Sequence, residues 1–161
     1  MRKIQLLLLA ISLIIPAFAF ADQHTEHKHE TAVHATLQLN DGKKWNTDDA
    51  LRHAMGNIHA SVTSALPAIH AGKLGTKQYD TLGKDITAQL AFIVQNCKLD
   101  PQADEQLHLI IEGIVSGINM ATAKQSTHKR ARGIHKIAES LNTYGKYFDH
   151  PNWQTLELGS H

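Results

Sequence analysis

From Thr47 onward apolar residues recur at spacings of three and four, and they keep doing so for about 100 residues. Leu51, Met55, Ile58, Val62, Ala65 and Ile69 form the first such seam, a stripe along one face of a helix. Thr47 is expected as its N-cap, with Asp48 and Asp49 in a first turn where acid complements the helix dipole. Pro67 is expected to kink the last turn, and Gly72 to Gly75 to form a link. Thr76 caps a second helix with the seam Tyr79, Leu82, Ile86, Leu90, Ile93 and Cys97. Asp100-Pro101 is a cap followed by proline at the first helical position. It opens a third helix with Ala103, Leu107, Ile110, Ile114, Gly117 or Ile118, and Ala121. A fourth, capped near Ser126 or Thr127, carries Ala131, Ile134, Ala138, Leu141, Gly145 and Phe148 before Pro151 closes it.

No strand-rich segment competes. The sequence predicts an all-α, up-down-up-down four-helix bundle over residues 47–150, with a tail over 151–161. In that topology the link at Asp100 shares an end with the start of the first helix and the finish of the fourth. Met55 and His108 each lie about eight residues into their helices, a depth of ~12 Å. Cys97 lies shallower at the same end, which Trp45 and Trp153 flank.

The stretch before the bundle has a different character. Arg2 and Lys3 precede an apolar run from Ile4 to Ile15, Pro16 breaks it, and Ala19-Phe20-Ala21 supplies a small-x-small cleavage site. This is the layout of a secretory signal peptide over residues 1–21, and the apolar run is short for a bilayer span of ~20 residues. Export to a bacterial periplasm, with no stable membrane anchor after cleavage, is the expectation. Residues 22–46 then read as a flexible histidine-rich arm and a short extended segment, Ala35 to Leu39, closed by the turn signal Asn40-Asp41-Gly42.

Loss of the signal removes Arg2 and Lys3, leaving 14 of the 16 basic side chains against 15 acidic ones. Such a balance gives no global field for nucleic acid. Cys97 is the only cysteine, so no disulfide framework exists within the chain. The compositional excess is in histidine, with twelve residues, all downstream of the cleavage site.

Metal binding follows from those histidines. A mature chain beginning at Asp22 offers the α-amine, two deprotonated amides of Asp22-Gln23-His24, and the His24 imidazole in one plane. Four nitrogens in a square suit Cu(II) or Ni(II). His27, His29 and His34 add imidazoles that suit Zn(II) or a second Cu(II). Cleavage after Ala19 instead would place Asp22 third and abolish the plane. A second candidate is the soft set Met55, Cys97 and His108, thioether, thiolate and imidazole, which suits Cu(I). Against it, Met55 and Cys97 sit on seam positions where plain core residues belong.

The basic run Lys124, Lys129, Arg130, Arg132 and Lys136, with His128 and His135, reads as a mostly solvated face. It is also the surface on which a periplasmic protein partner or anionic lipid would dock. His53, His59, His70, His150 and His161 show no local ligand spacing, and His135 with Glu139 reads as a surface pair. No Gly-rich phosphate loop, Gly-x-Ser-x-Gly elbow or His-Glu-x-x-His occurs, so a non-enzyme is expected.

The segments Lys44-Trp45, Thr47-Asp48, Leu51 to Met55, Asn96-Cys97-Lys98-Leu99, Ala103-Asp104, Leu107-His108 and Phe148-Asp149-x-Pro151-x-Trp153 resemble the small exported proteins labelled DnrO-like. That resemblance implies an exported protein and brings no activity with it. More distantly, the layout is similar to b-type four-helix bundle cytochromes, in which a first-helix methionine and a last-helix histidine bind haem. Met55 fits the first role. The last helix departs, reading Tyr144-Gly145-Lys146-Tyr147 where the histidine is wanted. Covalent c-type haem is excluded because no Cys-x-x-Cys-His occurs.

Overall fold

Helix starts in this chain are set by groups that satisfy the first orphan amides. In the computed structural model, which describes residues 36–159, there are four helices: α1 (Asp49–His70), α2 (Thr76–Asn96), α3 (Pro101–Thr122) and α4 (Thr127–Tyr147). The chain divides into two units, 1–33 and 34–161, and every described residue falls in the second. The signal peptide and Asp22, Gln23, His24, His27, His29 and His34 lie outside the described residues.

Asp48, not Thr47, caps α1, its carboxylate accepting from the Leu51 amide. Thr47 instead donates to the Asp149 carbonyl. Gly75, not Thr76, precedes α2, and Gln78 Oε1 turns back to accept the Gly75 amide. Asp100 with Pro101, and Ser126, cap α3 and α4 as the sequence predicts. Helix α1 continues through Pro67 to His70. It ends in a Schellman turn: Gly72, at φ +63°, donates to Ile69 and Lys73 donates to Ala68.

Short links make successive helices antiparallel neighbours, and α4 returns to α1, giving the up-down-up-down bundle. The α3 and α4 backbones approach most closely. A Cβ on Gly133 would stand 2.5 Å from the Ala121 amide nitrogen and 2.6 Å from the Gly117 carbonyl oxygen. Only residues without a Cβ permit that crossing. Leu51, Met55, Ile58, Ile86, Leu107, Ile110, Ile114, Ile134, Ile137 and Leu141 fill the interior.

Two non-helical straps complete the bundle. Before α1, Asn40–Lys43 forms a tight turn with Asp41 and Gly42 at positive φ. Trp45 then pairs its backbone beside Phe148, accepting from the Asp149 amide and donating to the Tyr147 carbonyl. Its indole is buried and donates to the Gln38 carbonyl. After α4 the chain turns at Asn152 and runs back between α1 and α4. His59 of α1 donates to the Gln154 carbonyl, and Asn142 of α4 exchanges two hydrogen bonds with Leu156. Gly159 reaches His70 at the far end of α1. No described helix is long and apolar enough to cross a membrane.

Candidate functional site

Cys97 stands where α2 has just ended, and its side chain points at the start of α1. Its Sγ lies 3.6 Å from Asp48 Oδ1, to which it donates. Asp48 Oδ2 accepts the Lys98 amide at 2.6 Å. Burial alone would raise the Asp48 carboxyl, but hydrogen bonds from Leu51, Lys98 and Cys97 and the charge of Arg52 hold it below its ordinary value. The same carboxylate acts oppositely on the thiol. Burial first, then the Asp48 charge, push Cys97 up to about 12, so it is a thiol at neutral pH.

The soft set expected from the sequence is therefore divided. Cys97 and His108 line one cleft between α2 and α3, with Asp104 and Ile111. His108 is exposed, and its Nδ1 donates to the Asp104 carbonyl at 2.8 Å. Met55 is fully buried in the core and does not line that cleft. In the haem reading Met55 would face a histidine of the last helix. At that end α4 presents Tyr144, buried and stacked on Phe148, and Gly145, whose missing side chain is replaced by the Trp153 ring.

Trp153 is the hub of an aromatic cluster under the tail. Its ring centroid lies 4.7 Å from His59, 4.8 Å from Tyr144 and 4.7 Å from His150. Burial raises the Tyr144 hydroxyl, which hydrogen-bonds with His150 Nδ1 at 3.1 Å. Burial, then the Arg52 and His59 charges, lower His150, so the neutral ring is favoured.

At the opposite end the structure corrects two readings. Arg130 is not part of a solvated basic face but 4% exposed, its guanidinium 5.1 Å over the Tyr79 ring. It donates to the Ala121 carbonyl and pairs with Asp80, which is why so large a cation is tolerated there. His135 is not a surface residue either. It is buried and stacks on His70, centroids 5.5 Å apart and planes 19° from parallel.

Those two rings and His128 line a cavity of about 520 Å³ with Leu74, Tyr79 and Gly159. Sequence spacing alone does not single these histidines out. His128 and His135 are seven apart, two turns on one face of α4, and His70 reaches them only because α1 ends where α4 begins. Among the described residues no three His, Cys, Asp or Glu side chains stand ready to hold a metal ion.

Fold and clefts thus define a four-helix bundle closed by two non-helical straps. Compared with known proteins, the chain matches no family model, no curated protein and no solved structure.

Proposed function

We propose that this is an exported, non-enzymatic bundle that binds transition metal, copper above all, through its N-terminal arm in the periplasm. One observation carries the reading: Ala19-Phe20-Ala21 is followed at once by Asp22-Gln23-His24. Cutting that bond creates an amine two residues ahead of an imidazole, the donor order a square-planar Cu(II) or Ni(II) site requires. His27, His29 and His34 supply further nitrogen donors within the same arm. One feature of the bundle supports the division of labour. Its soft side chains are committed elsewhere, Met55 to the core and Cys97 to a protonated contact with Asp48. The role that fits is buffering, tolerance or delivery, in which a loosely held ion must leave again.

Intact mass of the secreted protein and a Cu(II) titration test this together. The expected mass begins at Asp22, and the Cu(II) complex shows a weak visible band from an all-nitrogen plane. H24A removes the band and weakens Cu(II) binding by more than the ~10–100-fold that loss of an outer-sphere partner costs. A mature chain starting elsewhere, or an H24A variant that binds Cu(II) as before, overturns the reading. An intense Soret band in the purified protein would replace it with haem.

A further inference from the structure

We propose that the cavity where α1 stops and α4 starts binds a small organic carboxylate with an apolar body, its charged end received by the Tyr79 hydroxyl and the first turn of α4. This goes beyond the metal-binding reading and does not depend on where the signal is cut.

Tyr79 is the first argument. It is 2% exposed, and its hydroxyl has no hydrogen-bond partner among the described residues. The Arg130 guanidinium lies over its ring but commits its own donors to the Ala121 carbonyl and Asp80. A buried hydroxyl left without a partner is costly unless something else reaches it. This hydroxyl is not sealed in, because the one sealed side-chain N or O atom lacking a partner among the described residues is Trp153 Nε1. What Tyr79 borders is the cavity. Burial raises its pKa against the opposing Arg130 charge, so it stays a donor at neutral pH.

The meeting helix ends are the second argument. The amides of Thr127 and His128 have no acceptor among the described residues, and both residues line the cavity. Their turn is the positive end of the α4 dipole, which suits an anion. The closing carbonyls of α1 do not compete: Pro67, Ile69 and Ala68 already accept from Ala71, Gly72 and Lys73. No described carboxylate lines the cavity, and Asp80 is paired with Arg130. Ile69 and Leu74, both buried, and Ala131 make the rest of the wall apolar. The volume of about 520 Å³ falls among small-ligand pockets, roughly 300–1,000 Å³. Bare phosphate would leave the apolar wall in contact with water, whereas a carboxylate on a hydrocarbon body matches both halves.

The test titrates the metal-free, full secreted chain with phenylpropionate, phenylpropanol and inorganic phosphate, read by calorimetry and Tm. One phenylpropionate per chain is expected to bind and raise Tm, about ten-fold or more tightly than the neutral alcohol or phosphate. Y79F removes only the hydroxyl, so the free variant is expected to keep or raise its Tm. Its affinity for phenylpropionate is expected to fall about ten-fold or more, the size of a lost hydrogen bond to a charged group. T127P removes an amide donor at a helix position that tolerates proline and is expected to weaken phenylpropionate several-fold. A lowered Tm in free Y79F would give the hydroxyl a partner inside the fold and overturn the proposal. So would absence of phenylpropionate binding, equal binding of the alcohol or phosphate, or unchanged affinity in either variant.

Discussion

Asp48 shows how one carboxylate can hold three pieces of chain. Oδ1 accepts from the Leu51 amide and the Cys97 thiol, and Oδ2 from the Lys98 amide, so the start of α1 is fastened to the link between α2 and α3. Truncation, D48A, removes the cap and the fastening together and should cost about 1–2 kcal/mol in urea unfolding. The pH dependence follows from the depressed folded pKa. In the window below the ordinary value of 3.8 the unfolded chain binds more protons than the folded one. The contribution of the charged carboxylate is therefore complete above about pH 4 and drains as pH falls through the lower folded value. Wild type and D48N should differ most above that pH and converge in stronger acid. Cys97 gives the companion prediction. A thiol pushed up to about 12 alkylates slowly at pH 8, with a rate that still climbs roughly ten-fold per pH unit at pH 10. D48N removes the neighbouring charge and should speed iodoacetamide labelling at every pH in that range. A labelling rate that levels off near pH 9 would remove the burial argument.

Among the helices, α3 was the easiest to read and α4 the hardest, for a reason visible in their packing. Every expected α3 seam position is buried, from Ala103 to Ala121, because one apolar stripe faces the core and the rest faces water. On α4 the seam predicts Ala131, Ile134, Ala138, Leu141, Gly145 and Phe148; Ala131 and Gly145 are only half-buried, while Arg130, Gly133, His135, Ile137 and Tyr144 are buried as well. Hydrophobic periodicity cannot see a cation buried by pairing or a glycine buried by close approach. The arc is wide because α4 meets α3 backbone to backbone on one side and the returning tail on the other. Two glycines of the bundle therefore predict opposite outcomes. G133A drives a Cβ into the Ala121 nitrogen and the Gly117 oxygen, atoms that no rotamer change can move. It should cost about 1–3 kcal/mol even after the gain in helix propensity. A Cβ on Gly56, within α1, meets nothing within 4 Å. G56A should add up to about 1 kcal/mol, read as a higher urea midpoint at unchanged slope. Equal effects from the two substitutions would refute the backbone contact.

For the whole molecule, the part that was not legible is the strap beyond Phe148. It has no period, and what fixes it are hydrogen bonds between distant partners: His59 to Gln154, and Asn142 to Leu156. The sequence placed Trp153 at one end of the bundle. It sits there, against His59, Tyr144 and the bare backbone of Gly145, in the groove between α1 and α4, contacts that no periodicity announces. The histidine cavity was hidden for a related reason, since only closure of α4 onto α1 brings His70 to His135. Because α1 and α4 meet each other so little, docking of this strap should contribute much of the cohesion along their seam. W153A empties a half-buried indole site and should cost about 2–3 kcal/mol, somewhat less than truncation in a fully closed core. His150 makes the same docking sensitive to pH. Its folded pKa is lowered by burial and by the Arg52 and His59 charges, while Asp149 opposes the shift and Tyr144 shares a hydrogen bond with the ring. Between the unfolded value of 6.5 and the lower folded value, the unfolded chain takes up a proton that the folded chain resists. Stability from this residue is thus full above about pH 6.5 and falls with acidification. H150Q, which cannot titrate, should be less stable than wild type at pH 7.5, and the difference in Tm should shrink at pH 5.5. A difference that stayed constant, or widened in acid, would mean that the ring is charged in the docked state and that the tail is held by something other than this aromatic cluster.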